Sequence, residues 1–256
     1  MILRPLQSPA PTSQEFLPAW EAVEGIQSQA YDSCWMITQP SHAALAGELA
    51  GKLGASQFPV PDDNILRAIA LHDAGWGAPD AQTITQSRAA RPHRPQSFLA
   101  MSVPQFLEAW LKSIETAESV SAAGGYVVSR HFWRLAEHRI RSEQNPERKR
   151  LESFLKNEER RQKKLAERQS LSIQQLEGFT DLLQFYDLLS LYLCCGTRQN
   201  AVFPGYFGID LRITRQDDVY KFDPPLIAEE AAFAVAALRY PLSKEESSRA
   251  IAIKIG

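Results

Sequence analysis

The residues best suited to chemistry are the adjacent pair His72 and Asp73, within Ala70-Leu71-His72-Asp73-Ala74-Gly75-Trp76. An imidazole beside a carboxylate can grip one divalent metal ion. The pair alone says little, because five His and eleven Asp produce a His-Asp dipeptide by chance in roughly one such sequence in five. Its context adds weight. His42 lies thirty residues upstream in Pro40-Ser41-His42-Ala43-Ala44-Leu45-Ala46, and Asp187 lies far downstream in Leu182-Leu183-Gln184-Phe185-Tyr186-Asp187-Leu188-Leu189-Ser190. A carboxylate in the middle of an apolar helix needs a partner, since burying it alone is costly. A salt bridge to an arginine would account for Asp187 by itself. One metal ion accounts for His42, His72, Asp73 and Asp187 together. Two nitrogens and two carboxylates suit one divalent transition metal ion (Mn, Fe, Co, Ni or Zn) rather than Ca.

These residues need helices to position them. Ser41, after Pro40, offers a cap for a buried helix with His42 in its first turn, ended by Gly51 and Gly54. A second helix starts at Asp62 or Asp63 and runs through Ile65, Leu66 and Ile69 to the His72-Asp73 pair, with Gly75 and Gly77 ending it. Residues 78–101, with Pro79, Arg88, Arg91, Pro92, His93, Arg94 and Pro95, show little periodicity and read as a long loop. Ser102 with Gln105, and Ser172 with Gln175, are capping-box patterns that open apolar helices, the second carrying Asp187. A helix between them carries Ser129-Arg130-His131. The charged stretch from Asn145-Pro146 to about Gln169 reads as a solvated, partly protruding helix. Beyond Gly196, alternation in Ile209–Ile213 and Val219–Phe222 suits a hairpin, followed by a helix over about Leu226–Leu238 and a strand over Ile251–Ile255.

The chain of 256 residues, 44% hydrophobic, has enough apolar material for one domain with a sizeable core. A net charge of -2 argues against a nucleic-acid polymer or an anionic membrane as partner, while local charge still permits a small anionic substrate. There is no signal-like start and no apolar run of membrane-spanning length. Cys34, Cys194 and Cys195 make neither a disulfide framework nor a paired zinc motif, so a reduced, cytoplasmic setting is expected.

The order His, His-Asp, distant Asp, each on its own helix, resembles the HD-domain superfamily. Thr38-Gln39-Pro40-Ser41-His42, Ala68–Trp76, Ser129-Arg130-His131, Asp187–Cys194 and Phe222-Asp223-Pro224-Pro225 are similar to a branch of bacterial proteins of unknown function. The resemblance spans most of the chain. It implies a mainly α, HD-like helical bundle, with a helical core over about 36–196 and a C-terminal α+β extension over about 197–256 that holds a small hairpin and strand. It makes His42, His72, Asp73 and Asp187 metal ligands, with Asp73 able to touch both the ion and its water. For active members it implies metal-dependent hydrolysis of phosphate esters.

Members with two metals carry extra histidines between the His-Asp pair and the last Asp. Here His131 and His138 are seven apart, about 10 Å along a helix, too far to ligate one ion. One metal is therefore expected, with His131 as an acid or base, an occasional ligand, or a satisfied core histidine, and His138 at the surface. Arg130 could clamp a phosphate or pair with an acid. Trp76 could wall the pocket or simply pack. Arg91, His93 and Arg94 could close over an anion or stay solvated. The expected function is a phosphohydrolase for a small substrate such as a nucleotide. A non-catalytic metal- or ligand-binding regulatory module and an iron oxygenase of the same fold are the alternatives, and a homo-oligomer is compatible with any of them.

Overall fold

The computed structural model describes residues 1–11, 14–88, 93–241 and 248–256. In chain order its elements are β1 (Ile2–Pro5), β2 (Leu17–Pro18), α1 (Ala19–Gln27), β3 (Cys34–Ile37), α2 (Gln39–Lys52), α3 (Asp63–Leu71), α4 (Gly77–Ser87), α5 (Val103–Val120), α6 (Ala122–Arg139), α7 (Glu147–Ala166), α8 (Ile173–Cys195), β4 (Ala201–Val202), β5 (Arg212–Gln216), β6 (Val219–Asp223), β7 (Ala231–Tyr240) and β8 (Ser248–Ile255). Single 3-10 turns lie at Ala74–Trp76, Phe98–Ala100 and Tyr206–Gly208.

The helices follow their local signals closely. Asp62 caps α3 by accepting from the Ile65 backbone N–H at 2.9 Å, and α3 stops at Leu71 with His72 as its cap. Both predicted capping boxes form, at Ser102 with Gln105 and at Ser172 with Gln175. The cap of α2 is Thr38, whose hydroxyl accepts from the Ser41 N–H at 3.2 Å, so the helix starts earlier than Ser41 and Pro40 falls in its first turn, where no N–H is needed. α7 lies along α6 through Leu151, Phe154 and Leu165 and through buried Glu158 and Gln162, which hydrogen-bond Ser129, while most of its other charged residues face outward.

The segment expected as a loop over 78–101 holds a helix, α4. Periodicity missed it because its buried residues, Asp80 and Ser87, are polar. Its anchor is electrostatic: the Asp80 carboxylate accepts from the Gln39 backbone N–H at 2.6 Å, at the start of α2.

The mainly α class with only a small hairpin is overturned by the sheet. Helices hold 54% of the described residues and strands 16%, and the strands join in one eight-stranded mixed sheet of order β1-β3-β7-β8-β6-β5-β4-β2. The predicted hairpin is there as β5 and β6, turning at Asp217-Asp218 with φ of 45° and 67°, the left-handed pair that tight hairpins require. The helix expected over about 226–238 is instead strand β7. Alanines at 231, 232, 234, 236 and 237 suggest helix by propensity, yet burial alternates, with Phe233, Val235 and Ala237 inward and Ala232, Ala234 and Ala236 outward. β7 pairs with β8 on one side and with β3 on the other, Cys34 opposite Tyr240. Strands from both ends of the chain thus share one sheet.

The sheet positions the helices that carry the candidate site. Ile37, Ile213, Tyr220, Phe233, Val235 and Ile253 belong to one buried cluster with Leu45 and Leu49 of α2 and Leu183, Tyr186 and Leu189 of α8. α2 packs on β7, α3 and α8 pack on α2, and α6 packs on α3 and α8. Two glycines set the approach. A Cβ on Gly47 would lie 2.6 Å from the Ala70 Cβ, so α2 and α3 touch there; one on Gly75 would lie 2.0 Å from the Ala109 carbonyl oxygen, so the turn after His72-Asp73 presses on α5. Among the described residues no helix is long and apolar enough to cross a membrane.

Candidate metal centre

The first turn of α2, the end of α3 and the middle of α8 bring His42, His72, Asp73 and Asp187 to one place. The His42 Nε2 is 2.8 Å from an Asp73 carboxylate oxygen and 3.8 Å from one of Asp187. The His72 Nε2 is 3.2 Å from the same Asp187 oxygen and 3.7 Å from Asp73. The two imidazoles meet edge to face at 5.2 Å. Both histidines are fully buried, while Asp187 keeps 16% of its side chain exposed.

The outward nitrogens are committed. The His72 Nδ1 lies 2.7 Å from the Ile69 carbonyl, which can only accept, so Nδ1 carries the proton. The Ser190 hydroxyl donates its one proton to the Asp187 carbonyl at 2.9 Å, so at 2.8 Å it must accept from the His42 Nδ1–H. Each ring is thereby fixed with Nε2 turned toward the carboxylates. That arrangement orients a histidine for a metal, the far N–H held by a carbonyl or hydroxyl and the near nitrogen presented.

His131, on α6, approaches from another side, its Nε2 3.7 Å from the second Asp187 oxygen and its ring 5.7 Å from that of His72. Two overlapping groups could hold an ion: His42 with His72 and Asp73, and His72 with His131 and Asp187, in each of which the ligating atoms lie within 4.8 Å of one another. Atoms about 2.1 Å from a shared ion stand about 3.0–3.4 Å apart when adjacent and about 4.2 Å when opposite, and the separations of His42 and His72 from the two carboxylates, 2.8–3.8 Å, lie near that range. Both groups use His72, whose single presented nitrogen can serve one ion. His131 could therefore join a centre built on His72.

The charges are mutually supporting. Burial opposes charge on His72, but the carboxylate of Asp73 and the hydrogen bond and charge of Asp187 outweigh it and raise the imidazole to about 9. Burial likewise opposes ionisation of Asp187, and the surrounding His72, His131 and His42 hold it far below the usual carboxylate range. For His131 burial dominates and lowers its pKa to about 4, leaving the ring neutral near pH 7.

A cavity of about 200 Å³ adjoins the cluster, lined by His42, Asp73, His131 and Asp187 together with an aromatic wall. Trp76 is part of that wall, 1% exposed and packed edge to face on Phe106, a place compatible with either of its two expected roles. Arg130 is not: its Nε donates to Glu177 at 3.0 Å and its guanidinium lies 4.4 Å over Trp133, the ion-pair alternative. Arg94 pairs with Asp32 at the surface, and neither it nor the exposed His93 lines the cavity. Arg91 lies outside the described residues. His138 is exposed, as expected. Sequence reasoning missed Ser190, Gln39 and Arg139. The first two could have been found by helical spacing, since Ser190 is three residues after Asp187 and Gln39 three before His42; Arg139 carried no such signal.

A mixed eight-stranded sheet backed by helices, whose facing sides bury a two-histidine, two-carboxylate cluster open to an aromatic cavity, defines an α/β protein with a candidate metal centre. The chain belongs to the family described as protein of unknown function (DUF3891), whose model matches residues 26–237 and so covers every member of the cluster. No curated protein and no solved structure matches it significantly.

Proposed function

We propose that the protein is a metal-dependent hydrolase of small phosphate esters. The observation that carries this reading is the convergence of His42, His72, Asp73 and Asp187 from three helices on one buried point, with both outward imidazole nitrogens tied and both Nε2 atoms turned inward. The order of these residues along the chain, similar to that of the HD-domain superfamily, supports it. A divalent ion held there would lower the pKa of its water toward neutrality and offset charge on a phosphoryl oxygen.

The remaining chemistry belongs to side chains. Hydrolysis joins a water oxygen to phosphorus and breaks the ester P–O bond, with the leaving oxygen protonated from water. His131, kept neutral by burial beside Asp187, has an unprotonated ring nitrogen that can orient the attacking water by accepting its hydrogen bond. The aromatic wall excludes bulk water from the reacting group, which strengthens each polar contact there. Arg139 is the single arginine lining the cavity among the described residues, too little positive charge to neutralise a polyphosphate chain.

The test is metal content followed by turnover. Purified protein should hold about one transition metal ion per chain and release phosphate from a monoester panel with Mn, Co or Ni; Asp73→Asn and His72→Ala should lose both properties. Protein that retains no metal and releases no phosphate from any ester would refute the reading. Metal retained without turnover, with the Ala and Asn variants losing only thermal stability, would assign the centre to a non-catalytic module instead.

A further inference from the structure

The cavity has two ends. α6 lays His131, Phe132, Leu135 and Arg139 along it, and the eight residues from His131 to Arg139 rise about 12 Å. The metal centre is therefore at one end and Arg139 at the other. Between them stand the rings of Trp76, Phe98, Phe106, Trp110 and Phe132. Trp110 stacks on Phe132 with centroids 5.1 Å apart and planes 18° from parallel, and Trp76 meets Phe106 edge to face at 5.1 Å. Flat walls of this kind favour a flat occupant.

Size narrows the choice. A cavity of about 150 Å³ is enough for benzene, so about 200 Å³ takes one substituted ring and not a purine nucleotide. Among the described residues, three buried polar atoms of side chains lining it have no hydrogen-bond partner: His131 Nδ1 at the metal end, and Gln39 Oε1 and Trp76 Nε1, an acceptor and a donor. Buried polar groups are ordinarily paired, so one acceptor and one donor face a ligand that supplies the complements. At the far end the Arg139 guanidinium lies 4.3 Å over Phe106, and only its Nε is engaged among the described residues, donating to Glu143 at 3.0 Å. Its two terminal nitrogens are open to an anion.

We propose that the substrate is a phosphate ester of a single planar ring, of pyrimidine or substituted-benzene size, with hydrogen-bonding groups on its edge and an acidic group at the end away from the phosphate. This rests on the hydrolase reading of the His/Asp cluster. The aromatic wall holds the ring, Gln39 and Trp76 read its edge, and Arg139 receives the acidic group.

Tryptophan fluorescence gives a readout independent of turnover, because Trp20, Trp76 and Trp110 line the cavity. The probes are methylphosphonate, phenylphosphonate and 4-carboxyphenylphosphonate, titrated into metal-loaded protein. Phenylphosphonate should quench the fluorescence and bind about tenfold or more tighter than methylphosphonate, from the apolar area its ring buries. The carboxyl group should add about fivefold, and Arg139→Gln should remove that gain. Leu135→Trp, at the cavity rim with Leu135 37% exposed, should keep the metal and lose the preference for a ring. Equal binding of the methyl and phenyl compounds, or an unchanged preference in Leu135→Trp, overturns the ring assignment and leaves the hydrolase reading standing. Ring preference in a protein that takes up no metal supports the cavity assignment and removes the hydrolase reading.

Discussion

Ser190→Ala tests how the centre is oriented without touching any proposed ligand. Ser190 is fully buried, and its hydroxyl accepts the His42 Nδ1–H at 2.8 Å. Removing that oxygen leaves a buried N–H unpaired, which costs about 1–3 kcal/mol. The imidazole can escape the penalty by moving its proton to Nε2, where the Asp73 carboxylate accepts at 2.8 Å. That tautomer has no lone pair to present to a metal. Binding then requires the ring to return to the penalised form, so the cost appears in metal affinity. Loss of such an orienting partner typically weakens binding about 10- to 100-fold, or about 1.4–2.7 kcal/mol, in the same range as the structural figure. Competition against a chromophoric chelator, with wild type and Ser190→Thr as controls, measures it. Thr keeps the hydroxyl and should stay close to wild type. Metal affinity in Ser190→Ala within about twofold of wild type would falsify the tautomer argument, since a tied nitrogen is its only premise.

Three further outcomes follow from other parts of the fold. Gly75→Ala places a Cβ 2.0 Å from the Ala109 carbonyl and should destabilise the protein by about 1–3 kcal/mol in urea unfolding; a neutral result would mean that the turn and α5 do not touch. Phe233→Ala should cost about 3 kcal/mol, whereas Ala234→Thr on the outward face of β7 should change stability by less than about 0.5 kcal/mol; a large loss at Ala234 would contradict the strand. Burial alone would raise the Glu177 carboxyl, but hydrogen bonds from Arg134 and Tyr126 and the charge of Arg130 hold it below its ordinary value. A depressed carboxylate adds stability that is present above its unfolded pKa, about 4.3, and is lost as pH falls through the folded one. Glu177→Gln should therefore be less stable than wild type at pH 7, with the gap narrowing below about pH 4 in pH-resolved urea unfolding; a gap independent of pH would show that the charge is not the source.

Much of the helical framework was legible because helix signals act over a few residues. Asp62, Ser102 with Gln105, and Ser172 with Gln175 each satisfy backbone groups within one turn, and all three cap their helices in the structure. α4 escaped because its fully buried residues, Asp80 and Ser87, are polar and Ile84 is the one large apolar residue it packs inward, too few for an apolar period. β7 was misread because alanine favours helix in isolation, and its strand exists only between β3 and β8. Arg130 and Arg139 looked alike in sequence, nine residues apart on one helix. Glu177 on α8 stands opposite the first, and the aromatic cavity opposite the second.

By itself the sequence determined which residues had to be explained: a carboxylate within an apolar helix, a His-Asp pair at a helix end, and a histidine in a buried first turn. Each is anomalous on its own element, because burying a charge or a ring nitrogen demands a partner whatever the fold. Only the tertiary structure decided who the partners are. The eight-stranded sheet, the Ser190 hydroxyl behind His42, the nearness of His131 to Asp187 and the cavity ending at Arg139 all depend on segments distant in the chain. Strand pairing and the facing of helices are non-local, so the energy that selects them is carried by contacts that no window of sequence contains.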